Sequence, residues 1–183
     1  MSHEVRKIIQ LCSLQDRKAQ RQLYEMYKDT LFAVVSRYIK SPHDAEDVFI
    51  NGFYKILTNI DTFSGQGSFE GWMRRIIINE ALMFLRKNAR LQITVELPEY
   101  ELAEDIYQEG QDEITYGEIM KILNELPDGY RTVFNLYVFE DFKHREIAEL
   151  LGISVNTSKS QYLLAKKKIL DIYNSKKNLS TKN

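Results

Sequence analysis

The chain has 183 residues, 44% of them apolar, which suits one or two domains with buried cores. No run approaches the roughly 20 uninterrupted apolar residues of a bilayer span, so no membrane span is expected. The net charge of −1 is unevenly spread: residues 1–90 hold 14 Lys/Arg against 10 Asp/Glu, residues 91–142 hold 2 against 13, and residues 143–183 hold 9 against 3. Two basic ends around an acidic middle suggest two DNA-facing modules and a segment that DNA would repel. The polar start Met1-Ser2-His3-Glu4 leads into no signal-peptide core, and the lone Cys12 admits no internal disulfide. Both fit a reducing, cytoplasmic location.

Nearly every long segment carries helical periodicity, and no sustained period-two alternation occurs. Asp16 to Lys40 places Leu23, Tyr24, Tyr27, Leu31, Val34, Val35 and Tyr38 at helical spacing. Ser41-Pro42-His43-Asp44 then stops one helix and starts another, with Ser41 as cap and Pro42 at the first helical position. From Ala45 to Leu57, the face Ala45, Val48, Phe49, Gly52, Phe53 and Ile56 reads as buried. Opposite lie Asp47, Ile50, Asn51 and Tyr54 at i, i+3, i+4, i+7. A stripe mixing a carboxylate with Ile and Tyr suits a helix-on-helix protein interface, although isolated surface apolar residues are common.

A third long helix is expected from Ser68, after Gly65 and Gly67, to about Lys87. Phe69, Trp72, Met73, Ile76 and Phe84 make its expected core face, while Arg75, Asn79, Leu82 and Arg86 line another side with Arg74 and Lys87 nearby. Arginines and an amide close to Phe63, Phe69 and Trp72 are the ingredients for phosphate contact and for holding unstacked bases.

Residues 91–112 read as an acidic linker, since Leu91 to Met120 contains no Lys or Arg but nine acidic residues. The second domain is expected from Glu113, with helices near 113–125, 128–139, 143–151 and 154–174. His144 to Lys168 reads as a helix-turn-helix: Ile147, Ala148 and Leu151 pack the first helix, Gly152 makes the turn, and Ser154 caps the second. On the wheel, Val155, Ser158, Tyr162, Ile169 and Tyr173 share one face. Thr157, Ser160, Gln161, Leu164 and Lys168 are expected on the other, near base edges, with Gln161 placed to pair with adenine. Lys159, Lys167 and the run Lys166 to Lys168 add phosphate-binding charge.

Enzyme chemistry finds little support. His3, His43, His144 and Cys12 are scattered without metal-ligand spacing, so no metal or other cofactor is expected. Gly65-Gln66-Gly67 lacks the spacing of a dinucleotide fingerprint and the Lys of a phosphate loop.

Taken in order, these segments resemble one family. Asp44-Ala45-Glu46-Asp47-Val48, then Gly67-Ser68-Phe69-x-x-Trp72-x-x-Arg75-Ile76-x-x-Asn79, then Leu85-Arg86-Lys87, are similar to domain 2 of extracytoplasmic-function sigma factors. Leu126-Pro127-x-x-Tyr130-Arg131-x-Val133-Phe134 resembles the opening of their domain 4, and Glu146 to Ser154 followed by Thr157-Ser158-Lys159-Ser160-Gln161 resembles its helix-turn-helix. The resemblance implies an all-α protein: a region 2 bundle over 1–90, an acidic linker over 91–112 and a region 4 helix-turn-helix over 113–183.

It also implies roles and partners. Asp44, Glu46, Asp47, Ile50, Asn51 and Tyr54 match the surface that binds the β′ clamp helices of core RNA polymerase. Phe63, Phe69, Trp72, Arg74, Arg75, Asn79, Arg86 and Lys87 match the stretch that melts and holds the minus-ten element. Thr157, Lys159, Ser160, Gln161, Leu164, Lys167 and Lys168 fall on the helix that reads the minus-thirty-five element. The β flap of polymerase, promoter DNA and an anti-sigma factor are the other implied partners of a chain expected to be a monomer when free.

The chain departs from the pattern in places. Ile50 and Asn51 stand where many relatives carry Gln and an acidic residue, Ser158 where an aliphatic residue is usual, and Leu164 where Arg is common. A stand-alone DNA-binding regulator remains a rival, but it leaves the Asp47–Tyr54 stripe unexplained; an enzyme is a distant third.

Overall fold

A computed structural model describes residues 2–88 and 115–180 and divides the chain into two compact units, Met1–Asn88 and Ala89–Asn183. The expected acidic linker, 91–112, lies outside the described residues. Among the described residues the secondary structure is helical, without strands.

The first unit opens with a helix beyond those expected, α1 (His3–Ser13), capped by the Ser2 hydroxyl, which accepts from the Val5 N–H at 3.3 Å. Its Ile8 and Cys12 are buried, and burial pushes the Cys12 thiol up to about 11, leaving it protonated and unreactive at neutral pH. A turn through Gln15, at φ +61°, leads to α2 (Arg17–Tyr38), whose Asp16 cap accepts from the Ala19 N–H at 2.8 Å. Helix α3 (Pro42–Thr58) starts with Ser41 accepting from the Asp44 N–H and Pro42 in the first turn, as the sequence predicts. A 3₁₀ turn (Ile60–Thr62) and the Gly65–Gly67 loop, both glycines at φ +77°, precede α4 (Phe69–Lys87), capped by Ser68.

Leu23, Leu31, Val34, Val35 and Tyr38 of α2 form the centre with Val48, Phe49, Phe53 and Ile56 of α3. From α4 come Phe69, Met73, Ile77, Ile78, Ala81, Leu82 and Leu85. The α4 face is thus rotated from the expected one: Trp72, Ile76 and Phe84 are only half-buried, and Leu82, expected outside beside Arg75 and Asn79, is wholly buried. The reason is geometric. Leu82 sits four residues after Ile78 and three before Leu85, so the three share one side of the helix. Helices α3 and α4 meet at Gly52, where an added Cβ would stand 2.6 Å from Cδ1 of Ile77.

In the second unit, α5 (Tyr116–Glu125) begins with a reciprocal cap: Thr115 Oγ1 accepts from the Glu118 N–H while the Glu118 carboxylate accepts from the Thr115 N–H at 2.9 Å. Helices α6 (Asp128–Val138), α7 (His144–Leu151) and α8 (Val155–Ser180) follow, near the expected positions, with α8 running on past 174. Ile122, Leu123, Leu126, Phe134, Ala165 and Ile169 make the core, with Tyr130, Tyr162, Ile172 and Tyr173 packed around it. Arg131, from the Leu-Pro-x-x-Tyr-Arg segment, is itself 1% exposed. Its guanidinium lies 3.0 Å from Asp128 and donates to Asn124 Oδ1 at 3.3 Å, tying α6 to α5. Burial lowers its pKa to about 10, partly opposed by Asp128, so it stays charged at neutral pH.

Gly52→Leu should lower the stability of the protein by about 1–3 kcal/mol, the range for overpacking a closed helix contact. Urea denaturation followed by circular dichroism checks this; an unchanged midpoint would show that Ile77 yields without cost.

Candidate nucleic-acid and partner interfaces

Burying Ala45, Val48, Phe49, Gly52, Phe53 and Ile56 turns the other side of α3 outward. On that side Glu46, Asp47 and Asn51 are exposed, Ile50 is 61% exposed and Tyr54 67% exposed. Asp44 is half-buried in the first turn, and Asp47 Oδ2 lies 3.5 Å from His43 Nδ1. Two large apolar side chains one turn apart, flanked by carboxylates, form a surface that costs free energy in water and gains it against another helix. Beside it, Tyr24, Lys28, Asp29, Phe32, Glu46, Phe49 and Ile50 line an open cavity of about 310 Å³. Tyr24 stands edge-on to Phe53, ring centroids 5.2 Å apart, and Phe32 edge-on to Phe49 at 5.7 Å, which stiffens the cavity wall.

At the loop before α4, Phe63 packs on Phe69 and Trp72 with ring centroids 5.0 and 5.7 Å apart, and Phe69 stacks on Trp72 at 5.6 Å. Phe69 is buried, as expected of the core face of α4 and against its place among the residues matched to the minus-ten element; Phe63 and Trp72 pack on its ring. Phe63 and Trp72 are half-buried. Arg74 is half-buried, 3.7 Å from Glu70. Arg75, Asn79, Arg86 and Lys87 are exposed, as expected from the wheel. Met83, which the sequence reading passed over, is 52% exposed in the place expected for Leu82. Counting i, i+4 and i+8 from Arg75 would have found it.

The helix-turn-helix is built as its sequence predicts. Gly152, at φ +70°, ends α7, and the Ile153 N–H donates to Ala148 O at 3.0 Å. Ser154 Oγ accepts from the Thr157 N–H at 2.9 Å and caps α8. Ile147, Ala148 and Leu151 are buried. Ser158, unusual on a packed face, is fully buried opposite His144, whose Nδ1 lies 2.9 Å from the Ser158 hydroxyl. His144 in turn stacks on Tyr137 at 4.5 Å and lies 5.7 Å from Tyr162. The aliphatic contact is replaced by a hydrogen bond within an aromatic box.

The outward face of α8 differs from the expected one. Thr157, Ser160 and Gln161 are buried at 5%, 1% and 1% exposure, and Leu164 is half-buried. Their hydroxyls are taken up locally at the start of α8, Thr157 Oγ1 lying 2.8 Å from Ser154 Oγ and the Ser160 hydroxyl donating to Asn156 O at 3.0 Å. Gln161 stands three residues after Ser158 and four before Ala165, so it shares their buried side. Val155, expected on the packed face, is instead 39% exposed because it precedes the first buried turn; Asn156, Lys159, Lys167 and Lys168 are exposed with it, and Leu163 is half-buried between Lys159 and Lys167. Asn156, Lys159, Leu163 and Lys167 recur at i, i+3, i+7 and i+11 and make one stripe from the helix N-terminus. Of these, Asn156 and Leu163 were not among the expected contacts.

Among the described residues, no group of three or more His, Cys, Asp or Glu side chains could hold a metal ion, and no helix is long and apolar enough to cross a membrane.

A sequence model of sigma-70 region 2 matches residues 23–91, and one of sigma-70 region 4 matches residues 116–169. Among curated proteins, RNA polymerase sigma factor SigV of Bacillus subtilis is 29% identical over 154 residues, spanning 84% of this chain and 90% of its own. The extracytoplasmic-function sigma factor SigW of the same species is 28% identical over 174 residues, spanning 88% and 92%. Among solved structures, the sigma factor RpoE of Bartonella quintana, crystallised with the anti-sigma factor NepR, has a TM-score of 0.54 at 22% identity and covers 84% of this chain and 96% of its own. CnrH, in complex with the cytosolic domain of CnrY, has a TM-score of 0.50 at 22% identity, covering 93% and 97%. These likenesses support the helical fold.

The His144 site generates a prediction. Burial first, and Lys159 second, hold its pKa below the ordinary value of 6.5. Above that value the imidazole is neutral in folded and unfolded chains alike. As pH falls through 6.5 the unfolded chain takes up a proton that the folded site resists, so stability declines toward acid. Wild type should therefore lose stability relative to His144→Gln between pH 7 and 5. Urea midpoints of the two full-length proteins measure it; parallel curves would show that His144 titrates normally.

Proposed function

The chain belongs to the sigma-70 family, as an extracytoplasmic-function RNA polymerase sigma factor, and from that premise we propose how its surfaces divide the work. Its function is to direct RNA polymerase to promoters. The first unit holds polymerase and the melted minus-ten element; the second holds the minus-thirty-five element as a duplex. The domain limits that go with this reading are 1–90, 91–112 and 113–183. The protein works in the cytoplasm, catalysing no reaction of its own.

The observation that carries the reading is the outward stripe of α3. Asp44, Glu46, Asp47, Ile50, Asn51 and Tyr54 combine exposed apolar surface with carboxylates, which supports docking on the β′ clamp helices. Isoleucine and asparagine at 50 and 51 make the contact more apolar than the family's usual polar pair. Stripe residues Arg75, Asn79, Arg86 and Lys87, with half-buried Phe63 and Trp72, would take phosphates and unstacked bases of the minus-ten strand. Arg74, paired with Glu70, stands at their edge.

On α8 the duplex-reading stripe is Asn156, Lys159, Leu163 and Lys167, with Lys168 as a further phosphate contact. Thr157, Ser160 and Gln161 act from behind it, holding the helix start and its packing. RpoE and CnrH were each crystallised with another protein, NepR and CnrY, which supports an anti-sigma partner for this chain too.

Asp47→Lys and Tyr54→Ala should each weaken binding to core polymerase by about ten-fold or more, as loss of one interface anchor does. Both positions are exposed, so circular dichroism should stay unchanged. Core affinities equal to wild type would remove α3 from the interface. In promoter-library transcription with reconstituted holoenzyme, Asn79→Ala and Lys159→Ala should alter preference at separate elements. Lys167→Ala should weaken all promoters alike and flatten the salt dependence. Altered preference at the same positions for Asn79→Ala and Lys159→Ala would overturn the two-unit division.

A further inference from the structure

The exposed face of α4 carries one large apolar side chain among its polar ones. Met83 is 52% exposed, four residues after Asn79 and three before Arg86, on the same side as Arg75. Its exposure follows from the packing: Leu82 and Leu85 on either side of it are wholly buried, which leaves Met83 pointing away from the core. Half-buried Trp72 and Ile76 continue the same side toward the loop. The exposed side of α4 therefore reads Trp72, Arg75, Asn79, Met83, Arg86 from the loop to the helix end, about 20 Å at 1.5 Å per residue.

On a surface of this kind, cations and amides contact phosphates and base edges. A thioether carries no charge and is only a weak acceptor, so it adds little to either. Its useful partner on DNA is an apolar group, and the only one that distinguishes a base is the thymine C5-methyl. A methionine is suited to it, being flexible enough to follow a base that is not held in a regular stack. We propose that Met83 is a specificity-determining residue that contacts a thymine methyl group in the downstream promoter element. The inference rests on the proposed role of the Arg75–Asn79–Arg86 stripe and adds a base preference to it.

The test uses holoenzyme reconstituted from core polymerase and the full-length chain. Transcription from a randomised promoter library first defines the preferred downstream element. Each thymine of that element is then replaced by deoxyuridine, which removes the methyl and leaves base pairing intact. At one position wild type should lose about four-fold in open-complex formation, the factor expected for one desolvated methyl group. Met83→Ala should lose a similar factor on thymine and show no further loss on deoxyuridine, while Met83→Leu keeps the thymine preference. Circular dichroism of both variants should match wild type, since the side chain lies outside the core.

The proposal is overturned if the element contains no preferred thymine, or if Met83→Ala remains as sensitive to deoxyuridine as wild type. Arg75→Ala and Asn79→Ala separate the two levels of failure. If they change the downstream element and Met83→Ala does not, Met83 is not a reader and the stripe stands. If none of the three changes it, the assignment of α4 to that element falls as well.

Discussion

The packing of α3 on α4, closest where Ile77 reaches Gly52, sets what the first unit turns outward. With no side chain at that position, Ile77 lies against the α3 backbone, and an added Cβ would stand 2.6 Å from its terminal methyl. Once the two helices meet there, a helix's fixed periodicity leaves little choice about what faces out. On α3 it is Asp47, Ile50, Asn51 and Tyr54; on α4 it is Arg75, Asn79, Met83 and Arg86. One close contact therefore supplies two outward surfaces of different chemistry. One is apolar and acidic, suited to protein; the other is cationic and amidic, suited to nucleic acid.

The second unit solves a related problem with polar groups. Helix α7 has only eight residues to set against α8, so the angle between the two must be held by few contacts. Here the His144–Ser158 hydrogen bond does part of that, inside a box of Tyr137 and Tyr162. A serine in place of an aliphatic residue would leave a buried hydroxyl at a cost of about 1–3 kcal/mol if it had no partner. With His144 at 2.9 Å the hydroxyl is satisfied, and the departure from the family pattern becomes a matched pair. Arg131 is the same device at the other end: a buried cation is tolerable because Asp128 and Asn124 meet it.

Much of this was legible in the residues. Ser41-Pro42, Ser68, Gly152 and Ser154 marked helix ends because capping is a local interaction, written in adjacent positions. The α3 face was read correctly since its apolar residues form one uninterrupted stripe. Helix α4 was harder: Trp72, Ile76 and Phe84 look like core residues, and Ile77, Ile78, Ala81 and Leu82 look the same, so the wheel has two candidate faces. Only packing against α2 and α3 selects between them. Gln161 was misplaced for the opposite reason. Polar identity suggested solvent, while its position between Ser158 and Ala165 put it on the buried side. Helix α1 was legible too, since Val5, Ile8, Ile9 and Cys12 recur at i, i+3, i+4 and i+7 behind the Ser2 cap.

The face that α8 does present has consequences for how the protein can act. Asn156 offers one amide and Val155 and Leu163 apolar contacts, while Lys159, Lys167 and Lys168 offer charge. Charge gives affinity for any duplex, and specificity must come from the few groups that reach base edges. A helix with so short a list of readers discriminates weakly alone. On the proposed reading the same holds for α4, whose readers would meet bases only after the strands part. Each unit therefore depends on the other for selectivity. Holding both on one polymerase turns two weak choices into one strong one, because the second contact is made at high effective concentration once the first has formed. Such a division of labour would require a polymerase-docking surface that uses neither set of DNA-reading residues, and the α3 stripe shares no residue with the proposed stripes of α4 and α8.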